Sequence, residues 1–103
     1  MEGLKIVVQR MGGADMDELL KAATLLADQD CTVLLGSETG KLVAAVGRSG
    51  LEKGLKAGAI IKAAAKPLGG GGGGRPELAQ GGGPDVAKLE EALAAGREVM
   101  RAR

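Results

Sequence analysis

With 103 residues, 45% of them hydrophobic, the chain is long enough for one modest core, and that core must be built without a single aromatic side chain. Histidine is also absent, which excludes Ser-His and Cys-His nucleophile pairs, histidine-dependent zinc sites and imidazole acid–base work; the lone Cys31 excludes an internal disulfide. The net charge of +1 conceals an asymmetry: residues 39–76 hold seven basic side chains against one acid, whereas residues 1–38 hold three against seven.

The predicted elements follow in chain order. Leu4–Gln9, LKIVVQ, is short and rich in β-branched residues and reads as a buried strand. Gly12-Gly13 interrupts it. Asp15 then stands as an N-cap with Glu18 as its capping-box partner, and Met16, Leu19, Leu20, Ala23, Leu26 and Ala27 recur at helical spacing, so an amphipathic helix runs to about Asp28. Cys31–Ser37 and Lys41–Gly47 are two further strands. The link Glu38–Gly40 is so short that they must form an antiparallel hairpin.

Arg48–Gly54 reads as a loop, and Leu55–Lys66 as a helix with Ala57, Ile60, Ile61 and Ala64 on its buried side. Pro67 ends that helix. Glu77–Gln80, ELAQ, is a possible short strand. Pro84 suits the first position of a last helix and Asp85 its N-terminus. In that helix Val86, Leu89, Leu93, Gly96 and Met100 form a stripe that meets either the core or a partner helix. The expected fold is therefore α/β or α+β, a small mixed sheet with helices packed on it, in the order β-α-β-β-α-(β)-α. One domain spans residues 1–103.

Most candidate sites dissolve on inspection. Gly36–Lys41, GSETGK, lacks the spacing of a phosphate loop, and Leu42 stands where a magnesium-binding hydroxyl is needed. The carboxylates at Asp15, Asp17 and Glu18 crowd a helix start, where acids are commonplace. No nucleophile is paired with a base. Neither catalytic residue, metal site nor cofactor is expected.

The stretch GGGGGGRPELAQGGG, Gly69–Gly83, is different. A flexible linker is the bland reading. Yet too little chain follows it to fold alone, its flanks Pro67-Leu68 and Arg75-Pro76 are stiff, and the run contains no serine. The alternative is a binding loop in which glycines let the backbone approach a ligand and bare N–H groups form an anion-binding concavity. Arg75 at its edge is suited to a phosphate or a base. The upstream cluster of Lys53, Lys56, Lys62 and Lys66 supplies an electrostatic footprint for a polyanion.

Ala57–Leu93 resembles the DHHA1-type domain at the C-terminus of alanyl-tRNA synthetases. The family shows a helix, a glycine run ending in Gly-Gly-Arg-Pro, a hydrophobic-Ala-Gln-x-Gly-Gly segment, and a Pro/Asp-started helix. The strand–helix–hairpin before it fits the same layout, so the resemblance covers nearly the whole chain. It implies a tRNA-binding C-terminal module that docks the tRNA elbow in support of aminoacylation and editing by domains not present in this sequence. Carried over position by position, Gly69, Gly70, Gly71, Gly72, Gly73, Gly74, Arg75, Gln80, Gly81, Gly82 and Gly83 are the expected RNA contacts; Lys53, Lys56, Lys62 and Lys66 are added on charge alone.

The implied partners are alanine-specific tRNA and the synthetase's other domains, with a homodimer possible and no membrane. The implied location is cytoplasmic, and the chain alone is not expected to be an enzyme. Without aromatic rings to hold splayed bases, recognition of a folded RNA by shape is favoured. A flat glycine surface would then lie against an exposed base pair, and valine at Gly72 or Gly73 should weaken binding without unfolding the domain. The rival readings are an accessory or dimerisation module that uses the Val86–Met100 stripe, and a phosphodiester-handling enzyme.

Overall fold

The computed structural model describes residues 5–101; Leu4, at the head of the first expected strand, and Ala102-Arg103 of the C-terminal MRAR lie outside the described residues. Five strands form one mixed sheet in the order β1-β2-β3-β5-β4. These are β1 (Lys5–Arg10), β2 (Cys31–Gly36), β3 (Lys41–Val46), β4 (Gly71–Gly74) and β5 (Leu78–Gly82). β1 runs parallel to β2, and every other pairing is antiparallel.

Helix α1 (Met16–Asp28) lies on one face of the sheet. The opposite face carries α3 (Ala57–Ala65) and α4 (Leu89–Arg101), preceded by a 3-10 turn at Val86–Lys88. Period-two alternation sorts the central strands between these layers. Val33, Leu35, Val43 and Ala45 meet Leu19 and Ala23 of α1. Leu34, Leu42 and Ala44 meet Ile60, Ile61 and Ala64 of α3 and Leu89 and Leu93 of α4. Both Ile60 and Ile61 are wholly buried, each contributing about 1.5–3 kcal/mol of apolar burial.

The start of α1 is built as its sequence indicates. Asp15 accepts the Glu18 N–H at 2.9 Å, and Glu18 Oε1 accepts the Asp15 N–H at 2.9 Å. A cap of this kind stabilises a helix by about 1 kcal/mol. Gly40, at φ 91°, makes the β2–β3 turn, and Gly69, at φ 72°, turns the chain off the end of α3, its N–H donating to the Lys66 carbonyl.

Three expectations need correction. β1 is an edge strand with Ile6 exposed and Val7 and Val8 half-buried, because a strand with one neighbour at the sheet margin is covered only in part. The supposed loop after β3 contains a short helix, α2 (Arg48–Glu52). It is tied down by Asp30, whose carboxylate accepts both the backbone N–H and the hydroxyl of Ser49. Those bonds, the hydroxyl's above all, hold the Asp30 carboxyl below its ordinary value of 3.8.

Third, the last helix begins later than Pro84, after the 3-10 turn. Of the two readings of the stripe on the last helix, the core is the one the structure bears out. Leu89, Leu93, Gly96 and Met100 are buried, and a Cβ on Gly96 would press on Leu34, so only Val86 is left exposed. Dimerisation through that stripe would require the core to open.

Candidate nucleic-acid interface

The glycine-rich stretch is neither a linker nor an irregular loop. Gly71–Gly74 is itself a strand, Arg75–Glu77 is the bend, and Leu78–Gly82 returns beside it as β5. Arg75 and Leu78 exchange both backbone hydrogen bonds across the bend, at 3.0 and 3.3 Å. A ladder uses only backbone groups, so glycine can form one, although it is a poor strand residue by propensity. Here β3 on one flank and α3 beneath supply the order that side chains would ordinarily provide.

The two faces of this ribbon differ. A Cβ on Gly72 would stand 2.5 Å from the Gln80 carbonyl oxygen and from Gly81 Cα, and 2.9 Å from Ile61 Cγ2. A Cβ on Gly81 would meet Ile61 at 2.8 Å and Gly72 at 2.9 Å. Gly70 and Gly83 are similarly closed: a Cβ on either would strike the other's segment of backbone. Gly82 is held close to Gly40, and Gly74 to Ala79. Gly72 and Gly81 are packing requirements because α3 lies directly on the backbone, and Gly70, Gly74, Gly82 and Gly83 because a neighbouring stretch of backbone does.

On the other face nothing lies within 4 Å of a Cβ built on Gly71 or Gly73. The register aligns Gly71, Gly82 and Lys41 across three strands, and Gly73, Gln80 and Val43 in the next row. Helix α1 covers β2 and β3 on this side, and the β4–β5 end is left as a bare, nearly flat backbone surface, with Gln80 and Lys41 exposed on it.

At the outer edge of β4 an open groove of about 440 Å³ runs between the ribbon and α3. Its walls are Lys56, Gly58 and Lys62 on the helix side and Gly73, Gly74 and Arg75 on the other. Hydrogen-bonded pairs alternate along an antiparallel ladder. With Arg75–Leu78 such a pair, the N–H and C=O of Gly72 and Gly74 point away from β5, toward this edge. Gly58 lacks a side chain where Gly74 approaches; a Cβ there would stand 3.4 Å from the Gly74 oxygen. Three cations thus face a groove without a lining acid. Lys56 and Lys62 make no ion pair among the described residues, and Arg75 touches only Glu77, at 3.6 Å, in an exposed pairing worth little.

The sequence-derived candidates therefore separate. Gly71, Gly73 and Gln80 meet on the open face; Gly73, Gly74, Arg75, Lys56 and Lys62 meet at the groove. Gly70, Gly72, Gly81, Gly82 and Gly83 serve packing, and Gly69 serves a turn. Lys53, at the end of α2, and Lys66, beyond α3, are exposed outside the groove. Sequence reasoning passed over Lys41 and Gly58. Period-two alternation across the β2–β3 hairpin contained the signal for Lys41; Gly58 carried none, because its role depends on where β4 packs.

The DHHA1 domain pattern matches residues 3–102 of the chain, and the chain belongs to the DHHA1 domain family. Among its relatives, the alanine–tRNA ligase of Methanothrix thermoacetophila is 53% identical over 104 residues, and that of Methanosarcina acetivorans 43% identical over 104 residues; each alignment takes in 98% of this chain. The chain spans only 11% of either ligase. Among solved structures, the C-Ala domain of Aquifex aeolicus alanyl-tRNA synthetase superimposes with a TM-score of 0.80 at 29% identity, covering 91% of this chain and 89% of that domain. Taken by itself, the chain corresponds to this C-terminal, non-catalytic module of an alanine–tRNA ligase.

Among the described residues no helix is long and apolar enough to cross a membrane, and no group of His, Cys, Asp and Glu is placed to hold a metal ion.

Proposed function

We propose that residues 1–103 act as one tRNA-binding module, which docks the outer corner of alanine-specific tRNA for the catalytic and editing parts of an alanine–tRNA ligase in the cytoplasm. The observation that carries this reading is the pairing of a bare glycine face with an adjoining cationic groove at one end of the sheet.

The groove suits phosphates. Lys56, Lys62 and Arg75 attract them, and the outward N–H group of Gly74 is a short-range donor. The bare face suits the flat end of a stack of base pairs, which needs area and close approach but no side-chain readout. RNA elbows present such surfaces, and shape recognition of folded RNA needs no aromatic platform. Arg75 stands at the junction of the two surfaces.

Binding of alanine-specific tRNA, measured across a salt series beside an RNA duplex closed by a hairpin loop at each end, which exposes no terminal base pair, tests the proposal. Capture through several phosphates makes log K fall linearly with log salt, and docking on an exposed base pair makes tRNA bind better than the duplex at matched salt. Equal affinity for the two RNAs at every salt concentration would refute elbow docking.

A further inference from the structure

We propose that a second cavity, beside Arg75 on the α1 side of the sheet, is a subsite for one unpaired nucleobase of the docked RNA; this rests on the RNA-binding role above and goes beyond it. The cavity holds about 330 Å³, at the small end of the range for ligand pockets. Its floor is apolar, with Ala45 of β3 and Leu78 of β5; its rim carries Thr24 and Asp28 of α1 together with Arg48, Arg75 and Glu77, so two cations and two acids surround it. A heterocycle needs this combination, apolar area for the ring faces and mixed donors and acceptors at its edge.

Two features of its placement tie the cavity to RNA. Arg75 lines it and also lines the Lys56–Lys62 groove, so one residue stands between a place for phosphates and a place for a base. Leu78 and Gln80 lie on the same face of β5, two residues apart, and two residues of strand span about 7 Å. A stack resting on the Gly73–Gln80 surface would therefore have the cavity directly beside it. The chain has no Phe, Tyr or Trp on which an unstacked base could rest. Planar guanidinium groups take over that task in RNA recognition, and Arg48 and Arg75 stand on the rim to do so.

The test is equilibrium binding of tRNAs in which each unpaired nucleotide in turn is made abasic, with the unsubstituted chain and with Thr24→Leu. Thr24 is exposed on a helix, where leucine is readily accommodated, and the larger side chain narrows the mouth of the cavity. One abasic position should weaken binding about tenfold. Thr24→Leu should weaken intact tRNA by a similar factor, and the two changes together should cost no more than either alone. Arg48→Gln, on another part of the rim, should show the same non-additivity and serves as the second variant, with circular dichroism reporting that each is folded. If every abasic tRNA binds as well as the intact one, or if the effects simply add in both variants, the subsite is refuted while elbow docking stands. If the unsubstituted chain binds no tRNA, the RNA-binding reading fails and the subsite with it.

Discussion

Gly72 and Gly73 are adjacent, chemically identical and in the same strand, yet they face opposite environments. Gly72 lies against β5 and Ile61, with no room for a methyl group. Gly73 faces open space. The same division runs through the ribbon, with Gly70, Gly72, Gly81 and Gly83 on closed ground and Gly71 and Gly73 on open ground. One residue type therefore serves two purposes. On one side it lets a helix pack against bare backbone, and on the other it leaves that backbone accessible. A glycine run reads as monotony in sequence, whereas the pleat of a strand makes it alternate.

The comparison is broken most forcefully at its closed side. Gly72→Val would place branched atoms against fixed backbone, which cannot move aside as a flexible side chain can. Overpacking costs about 1–3 kcal/mol when side chains alone must yield, and more is expected here. Denaturant unfolding should show a loss above that range or no folded state at all; stability within about 0.5 kcal/mol of the original would overturn the assignment of Gly72 to packing. This corrects the expectation that valine at either position would leave the fold intact.

At the open side Gly73→Val should leave unfolding within about 0.5 kcal/mol of the original, because a Cβ there has nothing within 4 Å. It should nevertheless weaken tRNA binding by about tenfold or more, since a raised side chain holds a base pair off the surface. Unchanged affinity would show that the open glycines do not touch RNA.

The groove adds a third contrast, charge against surface shape. Lys56→Gln with Lys62→Gln should lower the magnitude of the salt slope by about 0.7–0.9 for each phosphate no longer neutralised. Gly73→Val should leave that slope as it was. The smallest effect is expected for Glu77→Gln. Releasing Arg75 from its exposed partner should tighten binding by about twofold, in keeping with the low worth of surface ion pairs. Weaker binding would show that Glu77 positions Arg75 productively.

Much of the fold was legible in the linear pattern. The capping box at Asp15 and Glu18, the hairpin at Gly40 and the buried side of α3 are local features, and local stereochemistry determines them. Less legible was anything that depends on neighbours. β1 has the composition of a buried strand and became an edge strand because β2 pairs with it on one side only. Arg48–Glu52 has two weak helix formers, Ser49 and Gly50, and became helical where Asp30 holds Ser49.

The site shows the same limit. Lys53, Lys56, Lys62 and Lys66 form one cluster along the sequence, but only Lys56 and Lys62 reach the groove, because helix phase and the path of β4 decide which lysines converge.

By itself the sequence determined the order of the elements other than α2 and β4, the absence of histidine and aromatic chemistry, the concentration of positive charge, and the membership that the Arg-Pro and Ala-Gln-Gly-Gly signature indicates. Tertiary structure alone decided that the glycines form a strand, and which of them are closed and which open. The physical reason is that glycine carries no side chain to state a preference. Its conformation is set by what pairs with its backbone, and its exposure by what packs on it: Ile61 of α3 beneath, and on the upper face the limit of α1, which stops short of β4.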